Sequence, residues 1–185
     1  MIITRSWLEE FIDISKISTE EICKTLNSIG LEVDSVEKLS IAPKVVIGKV
    51  LEKEKHPDAD KLNICQVDLG THQVQIVCGA KNVEAGQFVP VATVGCDLGN
   101  NFVIKEAKLR GVESNGMICS ATELGLPKLN DGILELDDSI GELVLGKELK
   151  EYSKLNDDII EIGLTANRGD CLSINGIVRE LSAFY

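Results

Sequence analysis

Within His56-Pro-Asp-Ala-Asp-Lys-Leu62 an imidazole and two carboxylates fall within five positions, the residue types of a metal site or an acid/base pair. The spacing supports neither. An EF-hand loop starting at Asp58 needs glycine at its sixth position and glutamate at its twelfth, where this chain has Asn63 and Leu69. A zinc site needs further imidazole or thiolate ligands close by, and His72 is the only other histidine. The pattern favours a Pro57-initiated turn between two strands, with Asp58 and Asp60 bonding local backbone amides. Neither a metal ligand set nor a catalytic residue is assigned.

The thiols point the same way. Cys23, Cys65, Cys78, Cys96, Cys119 and Cys171 form no Cys-x-x-Cys pair, and most have apolar neighbours, so they read as reduced core residues. Cys78 and Cys119 sit in apolar runs that give no reason for a lowered thiol pKa. Walker, G-x-G-x-x-G and G-x-S-x-G motifs are missing from the sequence, which therefore carries no self-contained catalytic apparatus.

Binding chemistry is more promising. In Lys108-Leu-Arg-Gly-Val-Glu-Ser-Asn-Gly-Met-Ile-Cys-Ser120, Gly111 and Gly116 bracket short polar side chains, as expected where a strand turns sharply or brings backbone close to a partner. This is either a tight hairpin with a solvated Arg110 or a contact surface around Arg110, Ser114 and Ser120. Thr165-Ala-Asn-Arg-Gly-Asp-Cys-Leu-Ser173 is the other dense polar stretch. There Asn167 and Asp170 order the loop and Arg168 pairs with a carboxylate, or Arg168 faces a partner.

Charge restricts what such surfaces can bind. The net charge is −11, and residues 1–39, 40–150 and 151–185 carry four bases against eight acids, twelve against sixteen and three against six. Phosphate neutralisation dominates non-specific affinity for nucleic acid, so any such contact here must be local and made by a few placed cations. The first residues lack a signal-peptide pattern and no run is long enough to span a membrane, so a cytoplasmic location is expected.

The elements that would position these residues can be read from periodicity. Ser18-Thr-Glu-Glu21 has capping-box form, and Ile22, Leu26 and Ile29 follow at helical spacing before Gly30, which predicts a helix over 19–29. Trp7, Leu8 and Phe11 suggest a short helix before it, and residues 31–36 alternate like a half-buried strand. Strands are expected at 45–53, 62–69, 74–78, 88–94, 102–109, 117–119 and 133–136, with a short helical stretch at 121–124. A polar link over 147–156 leads to a strand at 159–162, then to a Ser173-capped helix with Ile174, Ile177, Val178, Leu181 and Phe184 on one stripe. This is an α+β chain. The β segments suit a small closed barrel of the OB type, 40–150, inserted into a discontinuous mixed α/β domain built from 1–39 plus 151–185.

Four separated motifs, His56–Leu62, Val77-Cys-Gly-Ala-Lys-Asn-Val83, Lys108–Ser120 and Glu123-Leu-Gly-Leu126, resemble the tRNA-binding domain family of OB barrels. The flanks, with Trp7-Leu-Glu-Glu-Phe11, Gly30-Leu-Glu-Val33, Thr165-x-Asn-Arg-x-Asp-Cys-Leu-Ser173 and Gly176-Ile-Val-Arg-Glu-Leu181, are similar to those of bacterial phenylalanyl-tRNA synthetase β subunits. The chain departs from that family at Asp97-Leu-Gly-Asn-Asn-Phe102, where members often have Leu-Pro-Gly, and at Thr165-Ala-Asn-Arg168, where Thr-Pro-Asn-Arg is usual.

The resemblance implies an N-terminal part of such a subunit: a noncatalytic tRNA-binding and assembly module with no cofactor of its own. The parent enzyme uses ATP and magnesium to attach phenylalanine to tRNA(Phe). The implied partners are tRNA(Phe), the synthetase α subunit and the remainder of the β subunit in an (αβ)2 assembly. Candidate tRNA-binding residues are Arg110, Asn82, Lys108, Lys81, Lys61, Ser114, Met117 and Ser120. A purely structural scaffold and a free-standing tRNA-binding protein are the alternatives. With 4% aromatic residues, phosphate and shape contacts should outweigh base stacking.

Overall fold

A computed structural model describes residues 1–99 and 101–185 of the chain. In order, these form β1 (Ile2–Thr4), α1 (Arg5–Glu9), α2 (Thr19–Ser28), β2 (Glu32–Leu39), β3 (Val45–Lys55), β4 (Asn63–Asp68) and β5 (Gln73–Cys78). Then come β6 (Phe88–Ala92), β7 (Ala107–Leu109), β8 (Val112–Ser114), β9 (Met117–Ile118), β10 (Asp157–Gly163) and α3 (Ile174–Ser182). No helix among the described residues is long and apolar enough to cross a membrane. Two compact units result, one of Met1–Leu39 with Asp157–Tyr185 and one of Ser40–Asn156.

In the first unit β10 lies between β1 and β2, antiparallel to both. Ile3, Ile160 and Ile162 point to the face covered by Leu8, Ile22, Leu26, Ile177 and Leu181, so one apolar layer joins three helices to three strands. The capping serines act as their positions suggest. Ser18 Oγ accepts from the Glu21 N–H at 3.2 Å and Ser173 Oγ from the Gly176 N–H at 3.3 Å, each satisfying an orphan amide of the first helical turn. The alternation expected over 31–36 breaks at a register shift opposite Glu161/Ile162, and Val36 is left exposed. Phe184 falls beyond the end of α3 and is exposed as well, so the apolar stripe closes at Leu181.

The second unit is an antiparallel sheet of order β5-β4-β3-β6-β9, curled into a nearly closed OB-like barrel. The eleven-residue β3 makes this possible: Val45–Lys49 pair with β6, Lys49–Lys55 pair with β4, and a bulge between Val50 and Glu52 bends the strand between the two sets. Gly48 lies at the bend, where a Cβ would come within 2.7 Å of both Val67 Cγ1 and Val91 Cγ2. The gap between β5 and β9 is bridged by the Asn115 N–H to the Gln75 carbonyl, 2.8 Å, and by the Val77 N–H to Ser114 Oγ, 3.0 Å.

Several expectations for this unit are corrected. Within 102–109 only Ala107–Leu109 is a strand. Gly95, Gly99 and Asn101 have positive φ and fold the chain back, so Ile104 bonds Gly95 and Cys96 and fills the core. Asn100, in the loop that departs from the family pattern, lies outside the described residues. Residues 133–136 join the barrel through single bonds, from Leu134 N–H to Cys119 O and Leu136 N–H to Phe88 O, without forming a strand. The segment 147–156 is no polar link, because Leu149 and Tyr152 are buried in the barrel core. The barrel unit accordingly ends at Asn156, beyond the 150/151 boundary read from residue types.

Candidate nucleic-acid interface

The turn between β3 and β4 closes with the His56 N–H on Leu62 O and the Leu62 N–H on Ala59 O, both at 3.0 Å. The sequence pattern suggested that the Asp58 and Asp60 carboxylates would order this turn. Instead the work falls to His56, which is only 4% exposed. Its Nδ1 accepts the Asp58 N–H at 3.1 Å. The ring proton is therefore on Nε2, which donates to the Leu109 carbonyl, also at 3.1 Å. Sequence reasoning weighed His56 as a metal ligand and missed this role, since Leu109 becomes its neighbour only through the tertiary fold.

Leu109 ends β7, whose tight turn to β8 consists of Arg110 and Gly111, with φ of 46° and 89°. Two successive left-handed residues twist the hairpin correctly for its strands, which explains the glycine. Arg110 adopts that conformation despite its Cβ, and its Nη1 donates to Asp58 O at 3.1 Å. The tip of the hairpin is thus held to the β3–β4 turn by two side chains. Ser114, at the base of the hairpin and buried, accepts from Val77 N–H and donates to Gly116 O.

Asn82 and Ser120 lie elsewhere on the barrel and are also engaged. Asn82 Nδ2 donates to the Ile133 carbonyl and its Oδ1 accepts the Ile133 N–H, both at 3.0 Å. Ser120 Oγ donates to Glu123 at 2.7 Å and opens the 3₁₀ turn Thr122–Leu124. Met117 and Ser120 line a cleft of about 450 Å³ with Gly79, Ala80, Asp131 and Gly132. Lys81 and Asn82 line an adjoining one of about 580 Å³ that shares those four residues. Glu123, Asp131 and Glu135 make these clefts acidic.

Asn82→Ala should orphan the Ile133 N–H and destabilise the barrel by about 2 kcal/mol. Denaturant midpoints of the two proteins check this, and a change near zero would mean that the clamp does not hold the 130–133 loop.

The exposed cations are distributed unevenly. Lys53 is paired with Glu84 at 2.8 Å, whereas Lys55, Lys61, Lys81, Lys108 and Arg110 form no ion pair among the described residues. Register puts Lys55 opposite Asn63 and Asn63 opposite Cys78, so the end of β3, the start of β4 and the end of β5 share one end of the barrel. Lys55 and Lys61 belong to that end, Lys81 follows the end of β5 and lines the cleft with Asn82, and His56 and Arg110 attach the hairpin carrying Lys108 to the β3–β4 turn.

In the other unit, Arg168 donates to both Asp170 carboxylate oxygens at 3.1 Å and forms an ion pair with Glu180 at 2.9 Å. These bonds hold the Asp170 carboxyl below its ordinary range. Asp170, Cys171 and Glu180 have metal-ligand types and lie close together, but the guanidinium already satisfies the carboxylates. The pairing reading of Arg168 accounts for its geometry.

Residues 45–144 match the family described as "Putative tRNA binding domain". Along its whole length the chain is 62% identical to the phenylalanine–tRNA ligase beta subunit of Wolinella succinogenes and 60% identical to that of Sulfurimonas denitrificans. It is 59% identical, over 99% of its length, to the corresponding subunit of Campylobacter jejuni. In each case it spans 24% of the relative's own length.

Proposed function

Because the chain belongs to the tRNA-binding domain family, we propose that it is a noncatalytic tRNA-binding and assembly module of a phenylalanine–tRNA ligase beta subunit. The observation that carries this reading is identity of about 60% extending through both units to proteins of that name. In this reading the module is the N-terminal part of the subunit, with the OB barrel inserted in a discontinuous α/β domain. It serves a cytoplasmic enzyme that attaches phenylalanine to tRNA(Phe) using ATP and magnesium, and its protein partners are the α subunit and the rest of the beta subunit in an (αβ)2 assembly.

Among the candidate contacts, Lys61, Lys81, Lys108 and Arg110 are exposed, as phosphate contact requires. Asn82, Ser114 and Ser120 serve the fold first, because their polar atoms are bonded within the barrel. Met117 contributes apolar cleft lining. The net charge of −11 favours a second reading, in which both units serve assembly alone.

A salt series of tRNA binding separates the two. With about three or four phosphate contacts, affinity should fall about fiftyfold between roughly 50 and 200 mM salt. Absence of saturable binding at low salt would leave the scaffold reading.

A further inference from the structure

We propose that Lys44, Lys49, Lys147 and Lys150, gathered beside the start of β3, form a second surface that takes RNA phosphates. It lies at the opposite end of that strand from the β3–β4 turn, roughly 30 Å away along the chain. Apart from Lys49, its cations fall outside the residues, 45–144, that match the tRNA-binding family. This inference rests on the tRNA-binding reading and adds to it a contact that the family match does not contain.

Backbone pairing brings the four lysines together. The Ile47 N–H donates to Lys147 O at 3.0 Å and Val46 bridges Glu148, so residues 147–148 run antiparallel beside the start of β3. Lys147 therefore sits opposite Ile47, and Lys49 projects from the same face one pleat further on. Lys49 Nζ lies 5.3 Å from the centre of the Phe88 ring and Lys147 Nζ 4.4 Å from that of Tyr152, two rings packed on one apolar cluster. Residues 43–49 and 147–150 together hold four lysines and one acid on a chain of net charge −11. That acid is already engaged: Glu148 pairs with Lys150 at 2.7 Å, and its Oε1 accepts the Lys44 N–H at 3.3 Å. Asp68, opposite Lys49 in register, accepts the Gly70 N–H instead. Lys44, Lys49 and Lys147 form no ion pair among the described residues, so phosphate can approach them without breaking one.

Lys44 supplies a second, independent observation. Its φ is 64°, a left-handed conformation that glycine adopts freely and lysine does not. Its Nζ donates to Gly95 O at 3.4 Å, and a Cβ on Gly95 would sit 3.1 Å from that ammonium. The fold thus holds a cation where glycine would fit with less strain, and keeps a glycine beside it. The chemistry of the partner follows from what is exposed. Lys44 and Lys150 are exposed while Val45, Ile47 and Leu149 are buried, so the patch offers charge without an apolar centre. A protein interface is built around such a centre, whereas phosphate contact needs only placed cations.

The test measures tRNA affinity of the full chain against salt. Lys44→Gly/Lys49→Gln/Lys147→Gln should reduce the slope of log K against log salt by about two units. Lys44→Gly alone should reduce it by about one unit, with a denaturant midpoint at or above that of the wild type because the strain at residue 44 is relieved. Lys49→Arg/Lys147→Arg keeps both charges and should keep the slope. Lys16→Gln/Lys24→Gln/Lys128→Gln removes as much charge from exposed positions elsewhere and should leave the slope near that of the wild type. If the wild-type chain binds with a steep slope and the first triple variant retains it, this inference is overturned and the tRNA-binding reading stands. An equal loss of slope in the arginine variant or in the second triple variant, which would assign the effect to packing or to net charge, overturns it too. If the wild-type chain does not bind at low salt, the reading itself fails.

Discussion

Gly176→Ala should destabilise the α/β unit by at least about 3 kcal/mol, a larger loss than most single surface or helix substitutions cause. On an isolated helix the same change would be stabilising by up to about 1 kcal/mol, because glycine is a poor helix former. Tertiary packing reverses the sign. A Cβ at this position would overlap the Asp170 carbonyl oxygen and lie 2.9 Å from both the Asp170 carbonyl carbon and the Cys171 Cα. These are backbone atoms of the 3₁₀ turn Gly169–Cys171 beneath the first turn of α3, so they cannot rotate away as a side chain would. Relief requires α3 to lift, which exposes Ile177 and Leu181. Thermal unfolding followed by circular dichroism gives the answer: a melting temperature equal to or above that of the wild type would show that the turn and the helix can separate at little cost.

Alkaline pH should destabilise the barrel through its buried thiols. Burial pushes the Cys119 thiol up to about 12 from an ordinary value of 9.0, with Glu123 and Cys96 adding to the effect and a backbone hydrogen bond from Ala92 opposing it. Cys65 is pushed up to about 11, again chiefly by burial. Both thiols therefore keep their protons in the folded state after the unfolded chain has lost them. The stabilisation is fully present below pH 9 and is lost as pH rises toward 12. For Cys119 alone the difference of three pKa units corresponds to about 4 kcal/mol at the top of that range. Urea midpoints of wild type and Cys119→Ala between pH 7 and about 11 isolate this contribution. The variant should start somewhat less stable and decline less steeply, and parallel curves would assign the alkaline loss to other groups.

Much of the architecture was legible because local chemistry and tertiary structure agree. Ser18 and Ser173 announce helix starts and the structure uses both hydroxyls as caps. The alternation of Gln73, Gln75, Ile76 and Cys78 follows the pleat of β5, with Ile76 and Cys78 buried. Reading failed where pairing is set by the far side of the barrel. Residues 133–136 look like a strand but make only single bonds to Cys119 and Phe88. The apparent link at 147–156 looks polar because its two buried residues, Leu149 and Tyr152, sit among lysines and glutamates. Tyr152 meets both demands of such a segment, burying its ring while its hydroxyl donates to Glu142 O at 2.8 Å.

For the candidate site, residue types alone identified the right segments but not what each side chain does. The segment bracketed by Gly111 and Gly116 reads from the sequence as a turn with Arg110 at its entrance; the structure puts the turn on Arg110 and Gly111 themselves and makes Val112–Ser114 a strand. The same sequence cannot show that Asn82 clamps Ile133, fifty-one residues away, or that Ser114 bonds Val77 across the barrel seam. Nor does it show that His56 spans two loops. What the sequence determined by itself is what can be written in short-range periodicity, capping and turn chemistry, together with the motifs that tie the chain to its family. The tertiary structure alone decided which polar groups are spent on holding the barrel together and which cations remain unpaired at its end. The physical reason is that hydrogen-bond partners and ion pairs are chosen by proximity after folding, between residues whose separation along the chain carries no local signal.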